Sequence, residues 1–173
     1  VIMAPKDENE LQHMLKTAID HSGPISLRYP RGEGWNVALD ERMHSLKIGK
    51  AELLRDGTDL VIAAIGTTAI PALRAAQDLA PLGINAAVVN ARFVKPLDEH
   101  LFRDLLTKVP RLITVEDHAI SGGFGSALVE FLADDGIAGV DVKLLGVRDR
   151  LMPDGSQGER MNICRVDKNA ITN

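Results

Sequence analysis

Four short stretches of this sequence carry residue types that could do chemistry. The first is Arg28-Tyr29-Pro30-Arg31, two guanidinium groups bracketing a Tyr-Pro pair where a strand-like run ends. An arginine at the carboxyl end of a strand, where open α/β sheets place ligands, is suited to hold a phosphate or carboxylate bidentately. A salt bridge to a neighbouring acid would satisfy the same residues, and spacing alone leaves both readings open. The second stretch is Glu116-Asp117-His118, where Glu116 and His118 could share a proton as an acid/base pair or simply tie down a loop. The third, Ser121-Gly122-Gly123-Phe124-Gly125-Ser126, puts glycines at a helix start, where backbone amides can cradle an anion. It lacks the full dinucleotide fingerprint and the lysine of a phosphate-binding loop, which favours a tight turn and close packing of helix on sheet. The fourth, Gly66-Thr67-Thr68, reads as a turn and helix N-cap.

Other reactive side chains carry less. His13, His21, His44 and His100 are scattered without metal-ligand spacing and receive no role. Cys164 is the only cysteine, so no internal disulfide can form, and a reducing cytoplasm is the expected compartment. Ser121 and Ser126 are not in a nucleophile-elbow context. The net charge of −4 gives no basic footprint for nucleic acid or an acidic membrane, and no apolar run approaches the roughly 20 residues that span a bilayer.

Alternating strands and helices must position these groups. Asp7 and Glu10 form a capping-box-like pair, after which Leu11, Met14, Leu15, Ala18 and Ile19 recur at helical spacing and predict an apolar helix face. His21 to Pro24 ends that helix and Ile25 to Tyr29 reads as a strand. Residues 33–47 are irregular and polar, a linker. Strand-like runs at Ile48–Leu54 and Leu60–Ile65, joined by Asp56-Gly57, predict a tight hairpin. A helix from about Thr68 would bury Ile70, Leu73, Ala76 and Leu79. Ala86–Val89 and Leu112–Val115 read as strands, with a helix between them using Leu101, Leu105, Leu106 and Val109. Phe124, Ala127, Leu128, Phe131 and Leu132 mark another helix, and Val140–Leu145 a last strand. Beyond Gly146, Met152, Ile163, Val166 and Ile171 lie among polar residues, as in a loop and short helix. The fold class is therefore α/β: a mostly parallel sheet with one antiparallel edge strand and helices on both faces.

The opening segment, residues 1–32, reads as the end of one domain and residues 48–173 as a second. MAPKDENEL, GPISLRYPRG, IGKAELLRDG, NARFVKPLDE and TVEDHAISGGFGSALVE, in that order, resemble the 1-deoxy-D-xylulose-5-phosphate synthases of the transketolase-like group. The similarity runs from Val1 to about Gly146 and continues more weakly in the tail, where Asp154 and Arg148 stand at positions the family commonly fills with histidine and proline. The resemblance implies that residues 1–32 close a pyrimidine-binding domain and that residues 48–173 form a transketolase C-terminal-like domain.

It further implies a complete enzyme that joins pyruvate to D-glyceraldehyde 3-phosphate with loss of carbon dioxide, using thiamine diphosphate and Mg2+. Such an enzyme feeds isoprenoid, thiamine and pyridoxal synthesis and is expected to be a cytoplasmic homodimer. By the same resemblance Arg31 is the group that contacts the substrate phosphate, while Arg28 and Tyr29 are structural. The family's GDG diphosphate motif, its Mg2+ ligands and its activating glutamate have no counterpart here, so this chain by itself is expected to bind no cofactor and to be inactive. Missing N-terminal domains are then its first partner. The β subunit of a thiamine-dependent oxo-acid dehydrogenase and a non-catalytic dimerisation domain are the alternatives. Separated from its own sheet, segment 1–32 is expected to pair with another copy, to pack on the second unit or to be poorly ordered.

Overall fold

In the computed structural model, which describes residues 1–149 and 154–172, two sheets share the chain. The predicted position Met152 lies outside the described residues. β1 (Ile2–Met3) and β2 (Ser26–Leu27) pair in parallel around α1 (Glu8–Asp20). The larger sheet holds β3 (Glu52–Arg55), β4 (Leu60–Ala64), β5 (Ala86–Asn90), β7 (Arg111–Ala119) and β8 (Asp141–Val147), in the order β3-β5-β4-β7-β8. Its connections are α2 (Ala69–Leu79), α3 (Glu99–Leu106) and α4 (Phe124–Asp134), with α5 (Gln157–Cys164) and α6 (Lys168–Thr172) following. β4, β5, β7 and β8 are parallel and β3 is an antiparallel edge.

Alternation along the strands divides the core. Val61, Ala63, Ile65, Ala87 and Val89 face Phe102, Leu106, Phe124, Leu128 and Phe131 of α3 and α4. Ile62, Ala64, Ala86 and Val88 face the alanines of α2, together with Val166 and Ile171 of the tail. The tail thus forms two short helices tied down by buried apolar residues and by a Lys168–Asp78 ion pair.

Three sequence expectations are corrected. Asp56-Gly57 does not close a hairpin: β3 pairs with β5, and β4 lies on the far side of β5. The chain must cross the start of β5, where Thr58 and Asp59 both donate their N–H to Asn85 O. A Cβ on Gly57 would collide with the backbone of Ala86 and Ala87, so the glycine serves that crossing rather than a two-residue turn. In α1 the buried side chains are Glu10, His13, Met14 and Thr17, whereas Leu15 and Ile19 are exposed. In α2 the buried stripe runs through Ala69, Ala72, Ala75, Ala76 and Leu79, leaving Ile70 and Leu73 half-buried.

The sequence pattern contained no sign of β6 (Phe93–Lys95), which pairs antiparallel with β1 and makes the small sheet β2-β1-β6. Met3, Met14 and Phe93 form the core beneath it. Of the three fates open to segment 1–32, the structure shows it packed on the second unit.

Candidate functional site

The strand order reverses between β4 and β7, since β4 connects onward to β5 on one side and β7 lies on the other. Open sheets of this kind place ligands in the crevice at the carboxyl ends of such a strand pair. Here the chain's own groups pair with one another around a cavity of about 200 Å³. Arg28, just past β2, donates from Nη1 to Asp117 Oδ1 at 2.5 Å and from Nη2 to Asp117 O at 2.8 Å. Thr67 Oγ1 donates to Asp117 Oδ2 at 3.3 Å, and Thr68 Oγ1 lies 2.8 Å from Ile65 O and 2.9 Å from Val115 O. Thr68 therefore binds strand ends rather than capping α2 with its side chain. Arg28 clasps the first unit to the second, the salt-bridge reading of that residue.

Glu116 resolves the glycine run. Its side chain is 2% exposed, and its carboxylate accepts the N–H groups of Phe124 (2.8 Å) and Gly125 (2.9 Å) at the start of α4. A Cβ on Gly123 would collide with that carboxylate and with Ala119 O. The glycines are bare so that an internal carboxylate can reach the helix amides. Burial pushes the Glu116 carboxyl above its ordinary range, against the opposing pull of the two N–H groups. His118 lies two residues along β7, and its Nδ1 lies 3.4 Å from Ala119 O. Glu116 is committed to α4 and forms no hydrogen-bonded pair with His118.

Arg31 faces a different space. It lines a cleft of about 340 Å³ with Pro30, Asp117 and Val147 on one side and Arg160, Met161 and Val166 on the other. Among the described residues no carboxylate pairs with it. The cleft sets the guanidinium groups of Arg31 and Arg160 beside apolar Pro30, Val147, Met161 and Val166, suited to an anionic head on a small organic body.

Two polar clusters escaped the sequence reading. Glu10 of α1, 3% exposed, receives Arg92 Nε at 2.6 Å, Asn90 Nδ2 at 2.9 Å and Lys6 Nζ at 3.3 Å. Glu52 adds Lys6 Nζ at 2.9 Å and Arg92 Nη2 at 3.0 Å, which welds α1 to the ends of β3 and β5. Burial raises the Glu52 carboxyl, but Lys6, Arg92 and Asn90 outweigh it and hold the group below its ordinary range. The only local signal was Asn90 and Arg92 closing an otherwise apolar strand.

Second, His13 and His44, without ligand spacing in sequence, come together with Asp40, their ligand atoms within 4.8 Å of one another. His13 is already satisfied: Nε2 contacts Asp40 Oδ2 at 2.8 Å and Nδ1 accepts from His44 N at 3.2 Å. With Asn9 Oδ1 accepting from Asp40 N and Thr17 Oγ1 from Leu46 N, this trio clamps residues 36–46 along α1.

Residues 49–171 match the family model described as the C-terminal domain of transketolase. The chain belongs to that family. It is 51% identical over 171 residues to the 1-deoxy-D-xylulose-5-phosphate synthase of Halothermothrix orenii, covering 99% of this chain and 27% of that protein. It is 53% identical over 172 residues to 1-deoxy-D-xylulose-5-phosphate synthase 1 of Geobacter metallireducens, covering 99% and 28%. The chain thus spans about a quarter of the length of the curated relatives it matches. A solved structure described as a split gene transketolase, inactive beta4 tetramer, superposes with a TM-score of 0.84 at 24% identity, over 99% of this chain and 55% of its own. That likeness establishes the fold.

For a transketolase C-terminal domain, the residues present do not fit a thiamine diphosphate site. The helix amides best placed to hold a diphosphate are filled by Glu116. The His13–Asp40–His44 trio has two nitrogen donors, unlike the oxygen set that Mg2+ prefers. Among the described residues no helix is long and apolar enough to cross a membrane.

Proposed function

We propose that this chain is the C-terminal portion of a 1-deoxy-D-xylulose-5-phosphate synthase, completed by domains encoded upstream. Identity of about half over nearly the whole chain to several such synthases carries the reading. In it, residues 1–32 end the pyrimidine-binding domain, 33–47 connect, and 48–173 form the C-terminal domain. Thiamine diphosphate, which supplies the carbanion chemistry of these enzymes, and Mg2+ would be held upstream. The complete enzyme would act on pyruvate and D-glyceraldehyde 3-phosphate, in the cytoplasm and as a homodimer.

Arg31 has one task in this scheme: it binds the phosphate of the aldehyde. The absence of a carboxylate partner among the described residues and the largely apolar lining of its cleft support that assignment. In the complete enzyme, Arg31→Ala should raise KM for the phosphorylated aldehyde by about tenfold or more, the cost of losing hydrogen bonds to a charged group, and leave KM for pyruvate alone. An equal rise in both constants would remove Arg31 from the phosphate site. The isolated chain should show no heat with thiamine diphosphate and Mg2+ in calorimetry, and tight binding there would overturn the division of labour.

A further inference from the structure

A second cleft, of about 520 Å³, opens between the end of α5 and the outermost strand β8. Three cations from separate parts of the chain line it: Lys143 on β8, Arg148 just beyond β8, and Arg165 at the end of α5. Among the described residues none of the three has an ion-pair partner. The carboxylate present, Asp167, is already engaged, with Oδ2 accepting from Asn162 Nδ2 and Oδ1 from Ala170 N. The lining is therefore net positive in a chain of net charge −4. Ile120 and Leu144 give the cleft an apolar wall, and its volume lies within the roughly 300–1,000 Å³ typical of small-molecule sites.

Arg165 supplies an independent pointer. It caps α5 in the left-handed region, at φ 57° and ψ 43°, a position where glycine is the usual residue because a Cβ is strained there. A guanidinium kept where glycine would be less strained fits a residue retained for what its side chain binds.

We propose that this cleft binds a phosphate-bearing anion, with Lys143, Arg148 and Arg165 as its ligands. The two clefts share Cys164 in their linings but no cation: Lys143, Arg148 and Arg165 line this one, and Arg31 and Arg160 the other. This site does not depend on the synthase reading.

Calorimetry of the 173-residue chain at low ionic strength tests the proposal with two probes, inorganic pyrophosphate and ADP. One equivalent should bind, and added salt should weaken it. Lys143→Ala and Arg165→Gly should each weaken binding about tenfold, the loss expected for hydrogen bonds to a charged group. Arg165→Gly should melt no lower than the parent, because it relieves the left-handed strain; lost binding then reports the missing guanidinium and not a damaged fold. Lys108→Ala, which removes an exposed cation outside the cleft lining, should bind both probes as the parent does. Tighter binding of ADP would mark an organic phosphate as the ligand, and equal affinity the phosphate alone; both sustain the site. No binding at millimolar probe, binding indifferent to Lys143 and Arg165, or binding lost equally in Lys108→Ala would each overturn it.

Discussion

The five-stranded unit buries Val61, Ile62, Ala63, Val88 and Val89 between two helical layers, whereas residues 1–47 bury Glu10, His13 and Thr17 alongside Met3, Ala4 and Met14. Apolar area closes the first region and is largely indifferent to detail. Directional contacts close the second: the Glu10 hub, the Arg28–Asp117 clasp and the His13–Asp40 clamp. Such contacts are costly to lose on one side only, because the surviving partners stay desolvated. A region held in this way has a defined shape without an apolar core of its own size.

The sharpest way to break this comparison is Glu10→Ala. It leaves Arg92, Asn90 and Lys6 around an emptied site and should cost about 2–3 kcal/mol, the scale of a few hydrogen bonds to a charged group. Amide exchange should quicken in β1 and α1 and stay slow in β4 and β7. Equal acceleration everywhere would show that the two regions open as one unit.

Next comes Glu116→Gln, which turns an amide N–H₂ toward one of the two helix N–H groups and should cost about 1–2 kcal/mol in denaturant unfolding. The pH dependence separates a carboxyl inside the five-stranded unit, Glu116, from one on β3 where that unit meets Lys6 and Arg92, Glu52. The folded Glu116 carboxyl lies above its unfolded value, so its protonated form is favoured in the fold; its contribution to stability is greatest below the ordinary glutamate range and falls as pH rises through the window above it. Glu52 lies below its unfolded value, so its contribution is present above the ordinary range and is lost as pH falls through the lowered one. An NMR titration should show the Phe124 and Gly125 amides moving above the ordinary range and the Glu52 carboxyl signal moving below it. Glu116→Gln should abolish the first movement only; its persistence would detach it from Glu116.

The smallest expected effect is that of Arg28→Ala, about 0.5–1 kcal/mol, because the pair is partly exposed to solvent. A loss several times larger, measured by denaturant unfolding, would make the clasp a main support of segment 1–47.

The same contrast explains what the sequence could and could not tell. The apolar positions of α4 repeat at helical spacing and lie where expected, with Phe124, Leu128, Phe131 and Leu132 buried. The parallel sheet was legible for the same reason, since burial leaves a periodic trace, whereas the antiparallel edge was expected from a hairpin that does not form and arises from β3 pairing with β5. Polar closure leaves none. Glu10 and Arg92 are 82 residues apart in the chain, and nothing near either announces the other. Leu15 and Ile19 mimic a buried face that α1 in fact gives to Glu10, His13 and Thr17. Asp56-Gly57 carries a strong local turn signal, yet the position is decided by a strand thirty residues downstream. Arg31 was legible as a motif, and its cleft was not, because α5 supplies the opposite wall.

The placement of β6 has a consequence for synthesis. Ile2 and Met3 are made well before the strand that completes their ladder, which arrives only with Phe93 and Lys95. Until then Met3 and Met14 lack their partner Phe93, and the small sheet must wait while distant parts of the polypeptide are made and brought back. Ile2 and Met3 thus wait for neighbours made much later, and a pause in translation just upstream of Phe93 would hold them open.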